Sequence, residues 1–382
     1  MRSASHNLDV LLFVEDPGAA NYVAGLPEAL TARGFRARLF AAGIARDYLR
    51  QRNVPFNDVS AHPDRKTADC WLDIYRPRMV VVGTSENPDT LGLKLIDTCR
   101  QIGISSVGAV DSVSNSAFRF RGCGDDALGH APDWLLVPDV WTKRSYAELG
   151  YPAERIAVCG HPQYDRVKAA AEEFAARDRR RLRETTFPGV TAESRVVVFA
   201  AEISGGLNPQ QYRKSDAYTL RGWGASTGRT DIVFEELLGA LREIHPKPYL
   251  VLRLHPKNTP EEFAAYQRDI DLVSRDGSPL ELIWAADLAV GMTSMLLLEA
   301  AILGRPTLSI VPREIEKSWL PTISAGITPC ATTRDNLRKV LPDLLARTSP
   351  KRSRLGNMFI FGSIPKIADV IESVIEKTAS WK

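Results

Sequence analysis

The sequence is poor in the features that mark disulfide-bonded and zinc-binding proteins. It has only five cysteines in 382 residues, an odd number, and no Cys-x-x-Cys pair. Because disulfide frameworks and structural zinc sites need paired thiols at characteristic spacings, we predict buried free thiols instead. These cysteines are Cys70, Cys99, Cys123, Cys159 and Cys330.

Long apolar runs and a strong charge of either sign are also absent. No run reaches the ~18–20 apolar residues that a membrane-spanning helix needs, and residues 1–7 lead into a strand rather than a signal peptide. We therefore predict a cytoplasmic protein. The net charge of +3 is too small to indicate nucleic-acid binding. The basic run at 177–183 is either a solvated helix face or a peripheral contact with the inner face of an anionic membrane.

What the sequence does contain is a regular alternation of strand and helix patterns. Its 44% hydrophobic and 25% charged content is typical of globular proteins, and its length suits two domains. Short β-rich apolar runs separated by helical patterns predict parallel sheets built from βαβ units. The predicted strands are 10–14, 36–42, 79–83, 105–111, 134–138, 155–159, 195–201, 249–254, 281–283, 286–290 and 306–311, and the helices include 25–33, 91–102 and 142–149.

A charged helical stretch at 167–186, followed by Phe187-Pro188-Gly189, separates two such series. We predict an N-terminal domain over 1–165, a linker helix over 166–190, a second domain over 191–364 and a C-terminal helix over 365–382 that packs back on the first domain. The predicted fold class is α/β, with two doubly wound, Rossmann-like domains facing a cleft. Such sheets bind ligands outside the carboxyl ends of their strands.

The segment from 285 to 307 has the pattern of a strand, a turn and a helix. The apolar strand stops at Gly291, Thr293 and Ser294 follow, and an apolar helical pattern then carries Glu299. Free N–H groups and the helix dipole at such a turn favour an anion. We predict that Thr293 and Ser294 bind a nucleotide phosphate and that Glu299 faces either a ribose or solvent.

Another strand ends in a group of basic residues and a histidine. Arg253, His255, Pro256 and Lys257 suit a site for a nucleobase and phosphate, with His255 donating to a leaving phosphate. The His-Pro pair alone indicates little, because four of the six histidines precede proline. A histidine held in an ordinary turn is the alternative.

Paired glycines follow the first strand of the second series. Ser204, Gly205 and Gly206 would expose backbone N–H groups that can cradle a diphosphate, and a plain loop is the alternative. The weakly patterned segment 208–230 has the composition of a mobile active-site loop.

Two carboxylates end the first strand of the chain. Glu15 and Asp16 could supply a general base, because crowding of like charges raises one carboxyl pKa towards the working range. Gly18 permits close backbone approach, and Asn21 follows it as an acceptor-binding candidate. Alternatively, Asp16 caps the next helix and Glu15 is solvated. The loop lacks the Gly-x-Gly-x-x-Gly pattern, so a nicotinamide cofactor is not expected.

Polar side chains also follow two other strands of the first series. Glu86 follows one strand, and Asp111 and Asn115 follow the next, with Arg119 and Arg121 close behind. These residues suit a hydroxyl-rich acceptor whose carboxylate or phosphate is held by an arginine. Turn chemistry explains the asparagines and serines equally well.

Together these patterns resemble glycosyltransferases of the GT-B fold and the related UDP-N-acetylglucosamine 2-epimerase superfamily. The likeness lies in the two-domain organisation, in Gly160-His161-Pro162-Gln163-Tyr164-Asp165, and in the Arg-x-His-Pro and Thr-Ser…Glu-Ala…Leu-Gly-x-Pro elements. It implies that the first domain binds the acceptor and the second binds the donor nucleotide. It further implies that His255 and Pro256 bind the nucleotide and that Thr293 and Ser294 bind its phosphate. By the same likeness, Asp16 or Glu15 removes the proton of the acceptor.

The predicted function is metal-independent transfer of a group from a nucleotide-activated sugar to a glycan or lipid-linked hydroxyl acceptor in surface-glycan biosynthesis. A related glycerophosphate-type transfer has the same requirements. No cofactor is expected besides the nucleotide-sugar donor. An epimerase's early Gly-Thr-Arg-Pro-Glu element is absent, which favours transfer. A nucleotide-sugar epimerase or hydrolase and a non-catalytic nucleotide- or glycan-binding protein are the alternatives. The sequence does not identify the nucleobase, the donor sugar, the stereochemistry of the transfer or the oligomeric state.

Overall fold

A computed structural model describes residues 7–59, 65–203, 213–346 and 358–379. The chain divides into two compact units. Unit 1 comprises Met1–Asp165 and Phe359–Lys382, and unit 2 comprises Arg166–Met358. No helix in the described ranges is both long enough and apolar enough to cross a membrane.

Unit 1 is built on a parallel sheet of seven strands in the order β3-β2-β1-β4-β5-β6-β7. All five residues of β1 are buried, as expected for a strand covered on both faces. The strands are β1 Val10–Val14, β2 Ala37–Ala41, β3 Asn57–Asp58, β4 Met79–Gly83, β5 Ser105–Ala109, β6 Trp134–Val137 and β7 Ile156–Val158.

Some helices of unit 1 begin at clear sequence signals. The Asp16 side chain caps the first of them, with Pro17 at its first position, and Thr90 caps α5 by accepting from the Leu93 N–H. The helices are α1 Pro17–Val23, α2 Leu26–Ala32, α3 Gly43–Gln51, α4 Arg65–Tyr75, α5 Leu91–Ile102, α6 Val140–Glu148 and α7 Pro162–Ala175, and the division between the units falls inside α7.

Unit 2 has a second parallel sheet, with six strands in the order β10-β9-β8-β11-β12-β13. Its strands are β8 Val196–Ala200, β9 Tyr249–Arg253, β10 Leu272–Ser274, β11 Leu288–Gly291, β12 Thr307–Ile310 and β13 Cys330–Ala331. Its helices are α8 Arg179–Thr186, α9 Arg229–Leu241, α10 Pro279–Ala285, α11 Met295–Ile302, α12 Pro321–Ser324 and α13 Arg334–Ala346. The predicted α/β class with two doubly wound sheets is confirmed.

The region predicted as one linker helix over 166–190 contains two helices instead. Asp178 interrupts the helix because its side chain accepts from the N–H groups of Arg180 and Arg181 and so starts α8. Arg183 then reaches Asp287 at 2.8 Å, which fastens α8 within unit 2. Unit 2 comprises residues 166–358, and the sequence predicted a second domain over 191–364.

The last helix, α14 (Ser363–Ala379), belongs to unit 1 and packs on α2. Asp165 caps it, since its carboxylate accepts the N–H groups of Gly362 at 2.6 Å and Ser363 at 3.0 Å. Gly160 has a φ of +83°, and a Cβ there would lie 2.3 Å from the Ile360 carbonyl oxygen. This returning segment thus needs glycine at 160 and a carboxylate at 165.

His161, in the same motif, is a buried core residue. Burial lowers its pKa from 6.5 to about 3, so its ring is neutral, and its Nδ1 accepts the Gln163 N–H at 3.0 Å. The ring packs edge-on to Tyr22, with 5.0 Å between centroids. The Gly160-His161-Pro162 element is therefore part of the packing of unit 1.

The described part of the predicted mobile loop, from residue 213 onward, has fixed hydrogen-bond partners. Two buried glutamates of α9 hold it: Glu236 accepts the Gly222 N–H at 2.9 Å, and Glu235 accepts the Trp223 N–H at 2.7 Å. Residues 204–212 lie outside the described residues. The composition of this segment was therefore a poor guide to its described part, because buried glutamates of the next helix hold it.

In both sheets the strand order reverses at one point. The chain builds β1, β2 and β3 in one direction and β4 to β7 in the other, so unit 1 reverses between β1 and β4. Unit 2 reverses in the same way between β8 and β11. The crevice at such a reversal, at the carboxyl ends of the two strands, is where doubly wound sheets bind ligands.

Candidate active site

Glu15 lies at the strand-order reversal of unit 1, directly after β1. Its Oε2 accepts the Gly92 N–H at 3.3 Å, at the N-terminus of α5. Burial raises the pKa of Glu15 from 4.5 to about 7, although hydrogen bonds from the backbone of Gly92 and Leu91 favour the charged form. The Glu15 carboxyl group therefore has a pKa in the range that suits a general base at neutral pH.

Asp16 caps the helix that follows it. Its Oδ1 accepts the Gly18 N–H at 3.0 Å and caps α1, as the alternative interpretation predicted for Asp16, whereas Glu15 is mostly buried and not solvated. A Cβ at Gly18 would lie only 2.1 Å from Asp111 Oδ2, so the first turn of α1 approaches the loop after β5 closely. Glycine at 18 is what permits this approach.

Asp111 and Arg119 form a buried ion pair beside this approach. Arg119 Nη1 donates to Asp111 Oδ1 at 2.7 Å and to Thr84 Oγ1 at 3.0 Å, while its Nε donates to the Ser114 carbonyl at 3.0 Å. Burial disfavours the charged form of Arg119, but Asp111 more than offsets this, so its pKa stays above the ordinary value. The pair joins the carboxyl ends of β4 and β5.

The other acceptor-binding candidates do not all lie together. Asn115 donates to Glu86, which links the same two loops, and Asn115 adopts a left-handed φ of 59°. Asn21 lies half-buried on α1. Arg121 is directed elsewhere: it forms an ion pair with Asp125 at 2.9 Å, in the turn that follows. Arg121 is thus held by its own turn, while Glu86, Asp111, Asn115 and Arg119 are brought together.

At the strand-order reversal of unit 2, Thr293 is bound to Glu202. Glu202 follows β8, and its Oε1 accepts the Thr293 N–H at 2.7 Å while its Oε2 accepts the Thr293 hydroxyl at 3.1 Å. Arg229, the first residue of α9, donates from Nη1 to the same Oε2 at 2.8 Å. Three donors therefore converge on one carboxylate at the carboxyl ends of β8 and β11.

Arg229 is buried between two glutamates, Glu202 and Glu316. Its Nε donates to Glu316 Oε2 at 2.7 Å, and Glu316 also pairs with Arg313. Burial disfavours the charged form of Arg229, but Glu316 and Glu202 outweigh this effect and raise its pKa above the ordinary value. Glu202 and Glu316 together balance the two arginine charges.

The remaining residues of the 293–299 segment have distinct positions. Ser294 caps α11, with its Oγ accepting the Leu296 N–H at 3.2 Å. Glu299 is buried on α11, with 7% of its surface exposed. Glu299 therefore does not face solvent, and its contact with a ribose stays a prediction.

The turn after β9 orients His255. The Lys257 N–H donates to His255 Nδ1 at 3.1 Å, which places the proton of the neutral ring on Nε2, and Asn258 Oδ1 accepts the His255 N–H at 3.1 Å. Pro256 and Lys257 are exposed. Arg253 is directed towards the strand beside it, donating to Ser274 Oγ at 2.9 Å. Burial lowers the pKa of Arg253 from its ordinary value.

Three of the predicted nucleotide-binding residues, Ser204, Gly205 and Gly206, lie outside the described residues. Among the residues that the structure does describe, no group of three or more His, Cys, Asp and Glu side chains could hold a metal ion.

Comparison with solved structures gives the fold. The chain is similar to the UDP-GlcNAc 2-epimerase of Neisseria meningitidis bound to UDP-GlcNAc, with a TM-score of 0.64 and 13% identity over 97% of this chain and 100% of that one. S. aureus MnaA with UDP gives a TM-score of 0.68 at 12% identity, covering 97% of each chain. A glycosyltransferase of Rickettsia africae gives 0.61 at 9% identity, over 98% and 99%. The chain has the GT-B-like fold of these enzymes. No protein-family model and no curated protein matches it in sequence.

Within this GT-B-like fold, sequence reasoning missed Glu202, Arg229 and Glu316. Arg229 links the two glutamates across many positions of the chain, and none of the three belongs to a recognisable motif. A usable signal was present for Glu202 alone, since an acidic residue directly after β8 lies beside the strand-order reversal.

Proposed function

We propose that this protein is a glycosyltransferase or a related glycerophosphate-type transferase. It moves a group from a nucleotide-activated donor to a hydroxyl acceptor, and we place it in the cytoplasm, in the synthesis of a surface glycan. The observation that carries the proposal is Glu15, a carboxyl group with a pKa of about 7 at the strand-order reversal of unit 1. The GT-B-like fold, shared with enzymes whose structures contain UDP or UDP-GlcNAc, supports it.

Glu15 is the base in this proposal, and Asp16 is a helix cap. An ionised Glu15 accepts the proton of the acceptor hydroxyl, and that oxygen attacks the donor carbon bonded to the phosphate. In glycosyl transfer the bond from this carbon to the phosphate oxygen breaks, and the nucleotide leaves with the electron pair. In the glycerophosphate-type alternative the acceptor oxygen instead attacks the phosphorus of the transferred group, the bond from that phosphorus to the bridging oxygen breaks, and the nucleoside monophosphate leaves with the electron pair. A base whose pKa lies near the working pH is effective in such a step.

Unit 2 binds the donor nucleotide. In this proposal His255 donates from Nε2 to a phosphate oxygen, and the support is that its Nδ1 accepts the Lys257 N–H. The N-terminus of α11 at Ser294 supplies the dipole that favours an anion. These groups stabilise the negative charge that develops on the departing phosphate.

A thermal-shift screen with CMP, CDP, UMP, UDP, GDP, ADP and NAD first identifies the nucleotide that the protein binds. The test is then a transfer assay on two matched variants, Glu15→Gln and Asp16→Asn. Glu15→Gln should lower transfer by ~100-fold or more while leaving nucleotide binding intact. Asp16→Asn should keep most of the activity, since asparagine also caps helices well. Full activity in Glu15→Gln would refute the assignment. Transfer should also survive complete chelation, and a strict Mg²⁺ or Mn²⁺ requirement would contradict the metal-independent step.

Epimerisation of the donor sugar is the second candidate. It is favoured by the similarity to epimerase structures, and a carboxyl group with the pKa of Glu15 would equally suit abstraction of a sugar proton. Incubating the chain with UDP-GlcNAc and no acceptor distinguishes the two. An epimer appearing under those conditions would replace transfer as the conclusion.

A further inference from the structure

The carboxylate of Glu202 fills a position that is built like an anion site. It accepts the Thr293 N–H, the Thr293 hydroxyl and Arg229 Nη1, at 2.7, 3.1 and 2.8 Å. We propose that Glu202 is an internal occupant of the donor-phosphate site and that a phosphate of the donor displaces it. The inference rests on the proposed function, since it concerns the same donor.

The donors around Glu202 suit a phosphate as well as a carboxylate. A backbone N–H, a hydroxyl and a guanidinium are the usual partners of phosphate oxygens, and an arginine binds either anion. Their place matters too, because Thr293 and Glu202 follow β11 and β8, the two strands at which the order of the sheet reverses. Ligands of doubly wound sheets bind at that point.

Among the ion pairs of the described residues, the charges of this cluster balance only while Glu202 is in place. Arg229 and Arg313 share Glu316, and Glu202 supplies the second negative charge. When Glu202 turns away, one positive charge is left uncompensated beside Thr293. A buried charge without a partner is costly, so the cluster then needs an anion from outside.

Of the two glutamates that pair with Arg229, only Glu202 is placed to leave. Its side chain is 17% exposed, whereas that of Glu316 is fully buried at 0%. Glu316 therefore stays with Arg229 and Arg313 while Glu202 exchanges with the ligand.

The experiment measures pyrophosphate binding calorimetrically at fixed ionic strength, in the wild type and in Glu202→Gln and Glu202→Asp. Aspartate keeps the charge but is one methylene shorter, so it cannot hold both Thr293 and Arg229 from the same backbone position. If the site is open in at most ~10% of wild-type molecules, removing the occupant tightens binding by ~10-fold or more. Both variants should show this gain.

Glu314→Gln is the matched control for charge. Glu314 lies two residues before Glu316, is largely exposed and pairs with Lys317 at 2.6 Å rather than with Arg229. It should change pyrophosphate binding by less than ~2-fold, as expected for an exposed and screened charge. An equal gain in Glu314→Gln, or a gain in Glu202→Gln without one in Glu202→Asp, would mean that net charge explains the effect, and it would overturn the proposal.

Pyrophosphate binding that is unchanged or weaker in folded Glu202→Asp would also overturn it, and this variant decides alone if Glu202→Gln does not fold. The result of this binding experiment can be told apart from the result of the transfer assay. A gain in both Glu202 variants with no transfer by the wild type would leave this inference standing and refute the transferase. Transfer by the wild type without tighter pyrophosphate binding in the Glu202 variants would refute this inference and leave the transferase proposal standing.

Discussion

Replacing Glu15 by glutamine should make the folded chain more stable at alkaline pH while it removes the proposed base. In the folded chain the pKa of Glu15 rises from 4.5 to about 7 because the side chain is buried. Between these values the unfolded chain releases the Glu15 proton and the folded chain keeps it. The unfolded state then binds fewer protons, so the free energy of unfolding falls as pH rises through this window.

The size of the effect follows from the shift. At ~1.4 kcal/mol per pH unit, the rise from 4.5 to about 7 corresponds to a cost of roughly 3 kcal/mol once the pH exceeds 7. Glutamine has nearly the shape of the protonated acid and never pays this cost. Glu15→Gln should therefore match the wild type near pH 4.5 and exceed its stability progressively up to pH 8.

Urea unfolding at half-unit pH intervals from 4.5 to 8.5, followed by far-UV circular dichroism and tryptophan fluorescence, measures the difference. Glu28→Gln, at an exposed position on α2, controls for the loss of a carboxylate as such. A stability difference between Glu15→Gln and the wild type that stays constant over the whole range would refute the reasoning, because it would mean that Glu15 titrates alike in the folded and unfolded chains.

Three further substitutions probe contacts that define the two units. Gly18→Ala places a Cβ 2.1 Å from Asp111 Oδ2, so urea unfolding should show a loss of ~1–3 kcal/mol. Unchanged stability would mean that the loops separate freely. Asp165→Ala removes the cap of α14 and should cost ~1 kcal/mol, seen as faster hydrogen exchange in α14. Arg183→Ala leaves Asp287 with Arg179 and the Val196 N–H as its partners in unit 2 and should cost ~1–3 kcal/mol by thermal unfolding, whereas unchanged stability would contradict a buried pair.

The sequence predicted the strands best where burial is complete. Residues 10–14 and 79–83 are continuous apolar runs covered on both faces, and their predicted bounds match β1 and β4. Residues 281–283 were predicted as a strand, which is wrong, because they lie in α10. Three apolar residues do not distinguish strand from helix, and the deciding signal was Ser278 before Pro279, a cap followed by a favoured first helical residue.

The candidate site also shows what a local sequence pattern cannot predict. Thr293 was identifiable because a strand, a turn and a helix follow one another within a short segment. Its contacts with Glu202 and Arg229 were not, because these partners lie 91 and 64 positions away along the chain, although Glu202 itself carries the signal of an acidic residue at the end of β8. The carboxylate that fills the site therefore depends on tertiary contacts that no local pattern encodes.

The return of α14 to the first unit has a consequence for synthesis on the ribosome. The apolar face that Ile367, Ile371 and Val374 cover is made early, but these residues emerge only after all of unit 2 has been translated. Until then the nascent N-terminal unit exposes part of its core. The first unit to be translated is thus the last to be completed, and in the interval chaperones can bind this apolar face.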